Sequence, residues 1–388
     1  MQSGRIKSLL VFAAAGLSVV LRCTQAAELL PARDTEVVET LPAVVGGRAE
    51  ERKLRQQWAA NPRDAGLAVA LARRYLNQAR EQGDPRFAGR ALAVLQAWPD
   101  ADKAPDDVLL MQATVQQYLH DFEGSSRNLE RLVNRQPNHA QAWLTLATIR
   151  RVQGRYDASD RACQALMGQG AGVYGPACLA ENQALRGGTQ AARNTFKRLL
   201  AAPRLDADTR NWLATSLAEL EERAAQVDAA QAAWTLALQA SAAPYTVLSY
   251  ADFLIDQGRF AEALTVLKNQ PRNDAVLLRV AIASVRAGAP GNGAQASEMR
   301  ERIAVANLRP GTQTFHGREQ AMFALWVDKQ PQRALELARD NVKSQREPID
   351  LLILAQAARA TGQETARLEA DKLRRNVGLH DKRIDALL

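Results

Sequence analysis

Residues 143–166, WLTLATIRRVQGRYDASDRACQAL, read as two short helices joined by a tight turn. Apolar and small residues recur at helical spacing on both sides of Gly154, with Trp143 and Ala147 before it and Leu166 after it. Glycine adopts without strain the left-handed conformation that ends a helix, so we expect Gly154 to form the turn. The stretch predicts one complete helical hairpin.

The hairpin recurs along the chain with a period of about 34 residues. One period earlier, Phe122 takes the place that Tyr156 has in the quoted stretch. Residues 250–268, YADFLIDQGRFAEALTVLK, form a later copy with Gly258 at its turn. Less regular copies occupy the intervals, and the pattern predicts about nine helix pairs in total.

These residues resemble the tetratricopeptide repeat (TPR) family, whose units are helical hairpins of about 34 residues. The resemblance implies an all-α fold, a right-handed α-α superhelix (a solenoid) over residues 50–379 with a short tail at 380–388. It also implies that Ala147 and Ser159 lie where the two helices of one hairpin come closest. Since one hairpin cannot bury its own apolar faces, we expect the hairpins to stack on one another.

Residues 1–26 have the pattern of a secretory signal peptide, because Arg5 and Lys7 precede a short apolar run that small residues follow. Cleavage is predicted near Ala26 and Ala27, which makes the mature protein periplasmic or secreted. The apolar run is too short for a comfortable membrane span. We therefore expect no transmembrane segment in the mature chain.

Residues 27–49 are rich in proline, glycine and acids without a helical period, which predicts a flexible linker. Loss of the signal segment, which holds three cations and no acid, lowers the formal charge from +8 to +5. Spread over the mature chain, this charge is mild. It gives no support to a nucleic-acid partner.

Two cysteines, Cys163 and Cys178, remain in the mature chain. The repeat register places them on the second helix of one hairpin and the first helix of the next, which are neighbours in a stack. They form either a disulfide between adjacent repeats or two buried thiols, and an oxidising compartment favours the disulfide. Neither belongs to a CxxC pair, so no zinc site is predicted.

The sequence offers no catalytic constellation, and the chain is predicted not to be an enzyme. No HExxH, GxSxG, P-loop or dinucleotide-binding fingerprint is present in the sequence. The histidines are scattered over predicted turns and the tail, at His120, His139, His316 and His380. No cofactor or metal is predicted.

The TPR resemblance implies that an inner groove, lined by the first helix of each hairpin, binds extended peptides or partner helices. In the predicted register the groove-facing residues are Thr114, Gln117, Thr148, Arg151, Glu181, Asp252, Gln356 and Arg359. Their alternative role is that of solvated polar residues with no partner. The sequence specifies neither the partner nor the oligomeric state.

The leading hypothesis is an exported, noncatalytic scaffold that binds a protein or peptide partner in cell-envelope assembly or regulation. An accessory factor for envelope polysaccharide export or modification is the alternative. In that role, sugars would stack on the tryptophans Trp143, Trp212, Trp234 and Trp326, whose helical settings favour burial. A hydrolase hidden among the repeats lacks the convergent titratable groups that a catalytic site requires.

Overall fold

The computed structural model describes Arg33 and residues 48–288, 293–307 and 317–388. The predicted signal peptide and most of the predicted linker lie outside the described residues. Contacts divide the chain into two units, Met1–Arg48 and Ala49–Leu388, and all the helix pairs lie in the second.

All regular structure in these described ranges is α-helical, as predicted. The helices, in chain order, are α1 (Arg48–Ala60), α2 (Ala65–Gln82), α3 (Pro85–Leu95), α4 (Asp106–Tyr118), α5 (Phe122–Arg135), α6 (Ala140–Val152), α7 (Tyr156–Met167), α8 (Tyr174–Leu185), α9 (Thr189–Leu200), α10 (Ala207–Arg223), α11 (Val227–Ala240), α12 (Pro244–Asp256), α13 (Phe260–Leu267), α14 (Asp274–Arg286), α15 (Gly293–Asn307), α16 (Gly317–Trp326), α17 (Pro331–Asn341), α18 (Pro348–Thr361), α19 (Glu364–Val377) and α20 (Lys382–Asp385).

Consecutive helices pack in pairs, from α2–α3 to α18–α19, which gives nine hairpins in the described part of the chain. We call the first helix of each hairpin helix A and the second helix B. The hairpins stack in chain order, so the predicted TPR-like solenoid is confirmed. The helix α1 precedes the first hairpin, and α20 lies in the tail that follows the last.

Each hairpin turns through one residue in the left-handed conformation, which we call its corner. In chain order the corners are Gly83, His120, Gly154, Gly187, Ala225, Gly258, Gly288, Lys329 and Gly362, with φ between 55° and 89°. Glycine fills six of these positions because it alone adopts positive φ without strain. The prediction that Gly154 forms the turn is correct, with a φ of 72°.

Small residues let the two helices of a hairpin approach each other. The buried Ser159 hydroxyl donates a hydrogen bond to the Ala147 carbonyl across the pair, at 2.8 Å. One repeat earlier, Ser125 donates the equivalent bond to the Ala113 carbonyl at 2.6 Å. The predicted close contact between Ala147 and Ser159 is therefore correct, and it recurs in the preceding hairpin.

The A helices form the inner layer of the solenoid. Each A helix touches the A helix of the next hairpin, from α2·α4 through to α16·α18, whereas neighbouring B helices of the described chain have no comparable contact. A stack whose A helices lie closer together than its B helices curves toward the A side. The A helices therefore line the concave face, and the B helices line the convex face.

The last hairpins and the tail contact the corners of the first five hairpins, and we call this line of contact the seam. At its start, a Cβ atom on Gly83 would lie 3.1 Å from Cβ of Asn273. At the third hairpin the Arg346 amide donates to the Val152 carbonyl at 2.7 Å, and a Cβ on Gly154 would lie 3.0 Å from Val377 Cγ1.

The seam continues along the tail. The His380 amide donates to the Leu185 carbonyl at 2.8 Å, beside the corner of the fourth hairpin. The Arg383 guanidinium then reaches Glu222, at the end of α10, at 2.9 Å. These bonds join residues far apart in sequence, so the solenoid is closed on itself.

Candidate partner-binding surface

The middle of the concave face carries a polar ladder that crosses three A helices. Arg151 on α6 forms an ion pair with Glu181 on α8, with Nη1 and Oε2 2.5 Å apart. The other Glu181 oxygen accepts a hydrogen bond from the Ser216 hydroxyl on α10 at 2.6 Å. The two charges neutralise each other, which leaves a polar, nearly uncharged strip.

An exposed aromatic ring stands next to this ladder. Tyr245, in the first turn of α12, is 60% exposed, which is unusual for a large side chain on an inner face. Its hydroxyl donates to the Glu219 carboxylate of α10 at 2.6 Å. That carboxylate, together with desolvation, raises the pKa of the Tyr245 phenol well above its usual range. The phenol thus remains protonated and holds the ring in place.

Glu219 itself lies in a desolvated setting. Burial raises the pKa of its carboxyl, while the nearby Arg223 guanidinium lowers it. Glu219 and Arg223 are four residues apart on α10, so they share one side of that helix. This side belongs to the concave face, since it also carries Ser216.

Within the described residues, Arg223 is a buried cation with one unpaired N–H group. It is 8% exposed, and its Nε has no hydrogen-bond partner. A buried N–H group without an acceptor carries a desolvation cost that an external acceptor would relieve.

The other predicted groove residues lie on A helices but make separate local contacts. Thr114 and Thr148 donate to carbonyls one turn back in their own helices, at 2.8 Å and 3.0 Å. Asp252 is paired with Arg279 of α14 at 2.6 Å. Burial raises the pKa of the Asp252 carboxyl, and Arg279 opposes that shift.

At the two ends of the predicted groove, Gln117 on α4 is half-buried, as is Gln356 on α18. Arg359 is exposed and donates to the Ala386 carbonyl of the tail at 2.9 Å. The structure thus brings Arg151 and Glu181 together and leaves the others apart. A role in partner binding stays a prediction for all eight residues.

Sequence reasoning missed Glu219, Arg223 and Tyr245. The hairpin of α10 and α11 departs from the regular pattern, because α10 is 17 residues long whereas α6 has 13. No register could be transferred onto so irregular a unit. The signal that could have found the pair is the spacing of an acid and a base four residues apart on a predicted A helix.

The cysteines lie behind the concave face. The structure joins Cys163 of α7 and Cys178 of α8 in a disulfide, with Cα atoms 5.6 Å apart. Both residues are fully buried. The bridge fastens the third hairpin to the fourth, the same two hairpins that the Arg151–Glu181 pair joins.

The predicted sugar-stacking tryptophans are engaged within the protein. Trp234 is fully buried, and its Nε1 donates to Glu222 at 2.6 Å. Trp212 stacks on Tyr174, with ring centroids 5.4 Å apart. The Arg286 guanidinium lies over the Trp326 ring at 4.6 Å. The fourth, Trp143, is half-buried and donates to a backbone carbonyl.

Neither metal-ligand nor membrane-spanning features are found in the described ranges. No three of the His, Cys, Asp and Glu side chains described there are grouped so as to hold a metal ion. Nor is any of the helices α1–α20 long and apolar enough to span a membrane.

No protein-family model matches the sequence, and no curated protein matches it. A tetratricopeptide repeat protein from Parabacteroides merdae is similar in structure, at 15% identity and a TM-score of 0.46, over 56% of this chain and 83% of that chain. Yeast Tom70 has 15% identity and a TM-score of 0.43, over 87% and 70%.

The human IFIT1 dimer with PPP-AAAA has 13% identity and a TM-score of 0.39, over 85% of this chain and 78% of that chain. At such distances these similarities carry no functional argument. The TPR-like fold is assigned from the nine helix pairs of the described residues and their left-handed corners.

Proposed function

We propose that this protein is an exported, noncatalytic scaffold that binds a protein or peptide partner through its concave face, in cell-envelope assembly or regulation. The observation that carries the proposal is that the same face holds an exposed ring, Tyr245, and a buried guanidinium whose Nε has no hydrogen-bond partner in the described chain, Arg223. Both groups belong to the inner layer of the stack.

The two groups complement the chemistry of a peptide. An exposed tyrosine offers a large, rigid contact surface at low entropic cost, which is why such rings anchor interfaces. A guanidinium binds a carbonyl or carboxylate oxygen through directed hydrogen bonds. The neutralised Arg151–Glu181 ladder beside them suits the polar backbone of an extended segment.

Site-specific photo-crosslinking tests this proposal. A photoreactive phenylalanine analogue replaces Tyr245 in one variant and Leu368, an exposed apolar residue of helix α19, in the control. We expect position 245 to give a discrete crosslinked protein in periplasmic extract, and the additional change Arg223→Glu to remove it. Equal crosslinking from position 368, or a product indifferent to Arg223→Glu, would contradict a concave site.

Export is tested separately, by fractionation and mass spectrometry of the amino terminus. We expect the protein in the periplasmic or secreted fraction, with a terminus near Ala27. A full-length amino terminus in the cytoplasmic fraction would refute the exported scaffold, whatever the crosslinking shows.

A further inference from the structure

A second cleft opens beside the corners of the fourth and fifth hairpins, away from Tyr245, and Arg223 belongs to its lining. It lies between the B helices α9 and α11, has α10 as its floor, and encloses about 970 Å³. Residues 380–385 of the tail close one end. The volume lies within the range of about 300–1,000 Å³ that ligand sites occupy.

One wall of the cleft is apolar. Ala229, Ala232 and Leu236 follow one another at helical spacing along α11, and all three line the cleft. Leu200 of α9 and Leu217 of α10 continue this surface. Ala229 and Ala232 are exposed, so their small side chains leave room for another molecule instead of packing against a neighbour.

The acids that line the cleft are already paired. Glu221 of α10 is 2% exposed, and its two carboxylate oxygens accept hydrogen bonds from Nε and Nη2 of Arg193, at 2.5 Å and 2.6 Å. Asp381 is held by Arg383 at 2.7 Å. Asp385 lies 3.2 Å from Arg374.

Besides the buried Arg223, the lining of the cleft has two further cations that make no ion pair within the described residues. Lys197 stands on the α9 wall and Lys382 on the tail, and both side chains are exposed. Neither ammonium has a carboxylate within ion-pair distance in the described part of the chain. The cleft therefore has an excess of positive charge above an apolar wall.

These features together select an anionic ligand with apolar side groups. A membrane surface cannot reach a recessed wall, and a nucleic acid would need aromatic platforms, of which the lining offers only the His380 ring. A peptide with alternating acidic and leucine-like residues presents both required groups at once.

We propose that the cleft between α9, α11 and the tail binds an acidic, leucine-containing peptide segment of a protein partner. The carboxylates of that segment face Lys197 and Lys382, and its apolar side chains cover Ala229, Ala232 and Leu236. This site goes beyond the concave surface: the two share Arg223, but Lys197, Lys382 and the apolar wall belong to the cleft alone. Because the tail supplies Lys382, the complete cleft exists only while the seam is closed.

Fluorescence anisotropy with the full chain tests the proposal. The probes are three fluorescein-labelled peptides of eight residues, in which leucine alternates with glutamate, glutamine or lysine. We expect the glutamate peptide alone to bind, and added salt to weaken its binding. Equal binding of the glutamine or lysine peptide, or no binding of the glutamate peptide, would overturn the proposal.

Variants locate the binding site. Lys197→Glu and Lys382→Glu are each expected to raise the dissociation constant at least about fivefold, since each reverses a charge that faces the peptide. The matched control is Arg198→Glu, an exposed residue of the same helix that does not line the cleft, with an expected change of less than about twofold.

Ala232→Trp fills the cleft from an exposed position, so it should abolish binding without lowering the melting temperature. If Arg198→Glu weakened binding as much as Lys197→Glu, the peptide would be attracted by the overall positive charge of the surface and not by the cleft, and the proposal would fail. Binding to vesicles of anionic lipid that Lys197→Glu weakens, while peptide binding is unaffected, would likewise overturn it.

Discussion

The corners of the hairpins fall into two groups that share one backbone conformation. Gly154 and Gly258 both have a φ of 72°. A Cβ on Gly154 would lie 3.0 Å from Val377, whereas one on Gly258 meets no described atom within 4 Å. Gly83 and Gly187 resemble the former corner, and Gly362 resembles the latter.

The comparison separates two causes of glycine at a turn. Local backbone geometry favours glycine in every hairpin, because positive φ strains any other residue, although His120, Ala225 and Lys329 tolerate it. Close approach adds a second reason for glycine at Gly83, Gly154 and Gly187, where the seam covers the corner. The first cause is visible in the sequence, and the second depends on closure of the solenoid.

The largest effect is expected at the end of the seam. Arg383→Ala leaves the buried Asp381 carboxylate without its cation and removes the bond to Glu222. We expect a loss of about 3 kcal/mol in the free energy of unfolding, measured by urea denaturation. The control Arg339→Ala breaks an exposed pair with Glu369 inside the last hairpins and should cost at most about 1 kcal/mol.

Equal losses for Arg383→Ala and Arg339→Ala would show that the tail contributes nothing beyond a surface ion pair. The contact between Arg383 and Glu222, which joins α20 to α10, would then add nothing to the stability of the seam.

The next effect compares a corner that the seam covers with a corner that it leaves open. Gly154→Ala introduces both a strained φ and an overlap with Val377, whereas Gly258→Ala introduces the strained φ alone. Gly154→Ala should therefore lower the free energy of unfolding by about 1–3 kcal/mol more than Gly258→Ala does. Denaturation of the two variants side by side gives this difference directly. Identical losses would mean that Val377 does not cover the corner.

A smaller effect appears in the pH dependence of stability. Burial raises the pKa of Glu222 from 4.5 to about 8, Arg383 opposes this shift, and Asp256 adds to it. Between pH 4.5 and about pH 8, Glu222 holds a proton in the folded chain that it has lost in the unfolded chain. The contribution of Glu222 to stability is therefore complete below about pH 4.5 and disappears above about pH 8.

We expect the free energy of unfolding to fall as pH rises through this window, by at most about 1.4 kcal/mol per pH unit from this group. Glu222→Gln should flatten the slope in denaturation series at several pH values. A slope unchanged by Glu222→Gln would show that Glu222 does not bind a proton in the folded chain within this pH window.

The smallest effect has opposite signs in the two groups of corners. Lys329 at the exposed eighth corner has a φ of 55°, so Lys329→Gly relieves strain. Glycine also raises the entropy of the unfolded chain, which opposes this gain, and we expect the free energy of unfolding to rise by up to about 0.5 kcal/mol in total. His120→Gly relieves similar strain but removes the ring that stacks on Phe122 and meets Gln345 at 3.1 Å. It should lower the melting temperature.

Much of the fold could be predicted, because it depends on local pattern. Gly154, Ala147 and Ser159 were assigned their places from one stretch, since corners and close helix contacts recur in every repeat. Closure could not be predicted. Contacts such as Arg346 with Val152 depend on the curvature summed over many repeats, and no short pattern encodes that sum.

The candidate site shows the same division. Arg151 and Glu181 occupy regular repeats, and the register placed both in the predicted groove, where they now form a pair. Arg223 was overlooked, since α10 is too long for the register to be transferred. Tyr245 belongs to the regular helix α12, but its exposure is not visible in the sequence. The unpaired Nε of Arg223 results from burial, which the sequence alone does not give.

An engineered disulfide across the seam tests closure most directly. The double change Gly83→Cys and Asn273→Cys places two thiols where the Cβ atoms would lie 3.1 Å apart. The control, Asn273→Cys with Gly288→Cys, puts them at opposite ends of the 13-residue helix α14, about 20 Å apart.

Mass spectrometry of unreduced peptides reads out both pairs. A closed solenoid predicts a crosslink between positions 83 and 273 in monomeric protein under mild oxidation, and none between 273 and 288. Two free thiols at positions 83 and 273 in folded protein would contradict closure of the solenoid along the seam.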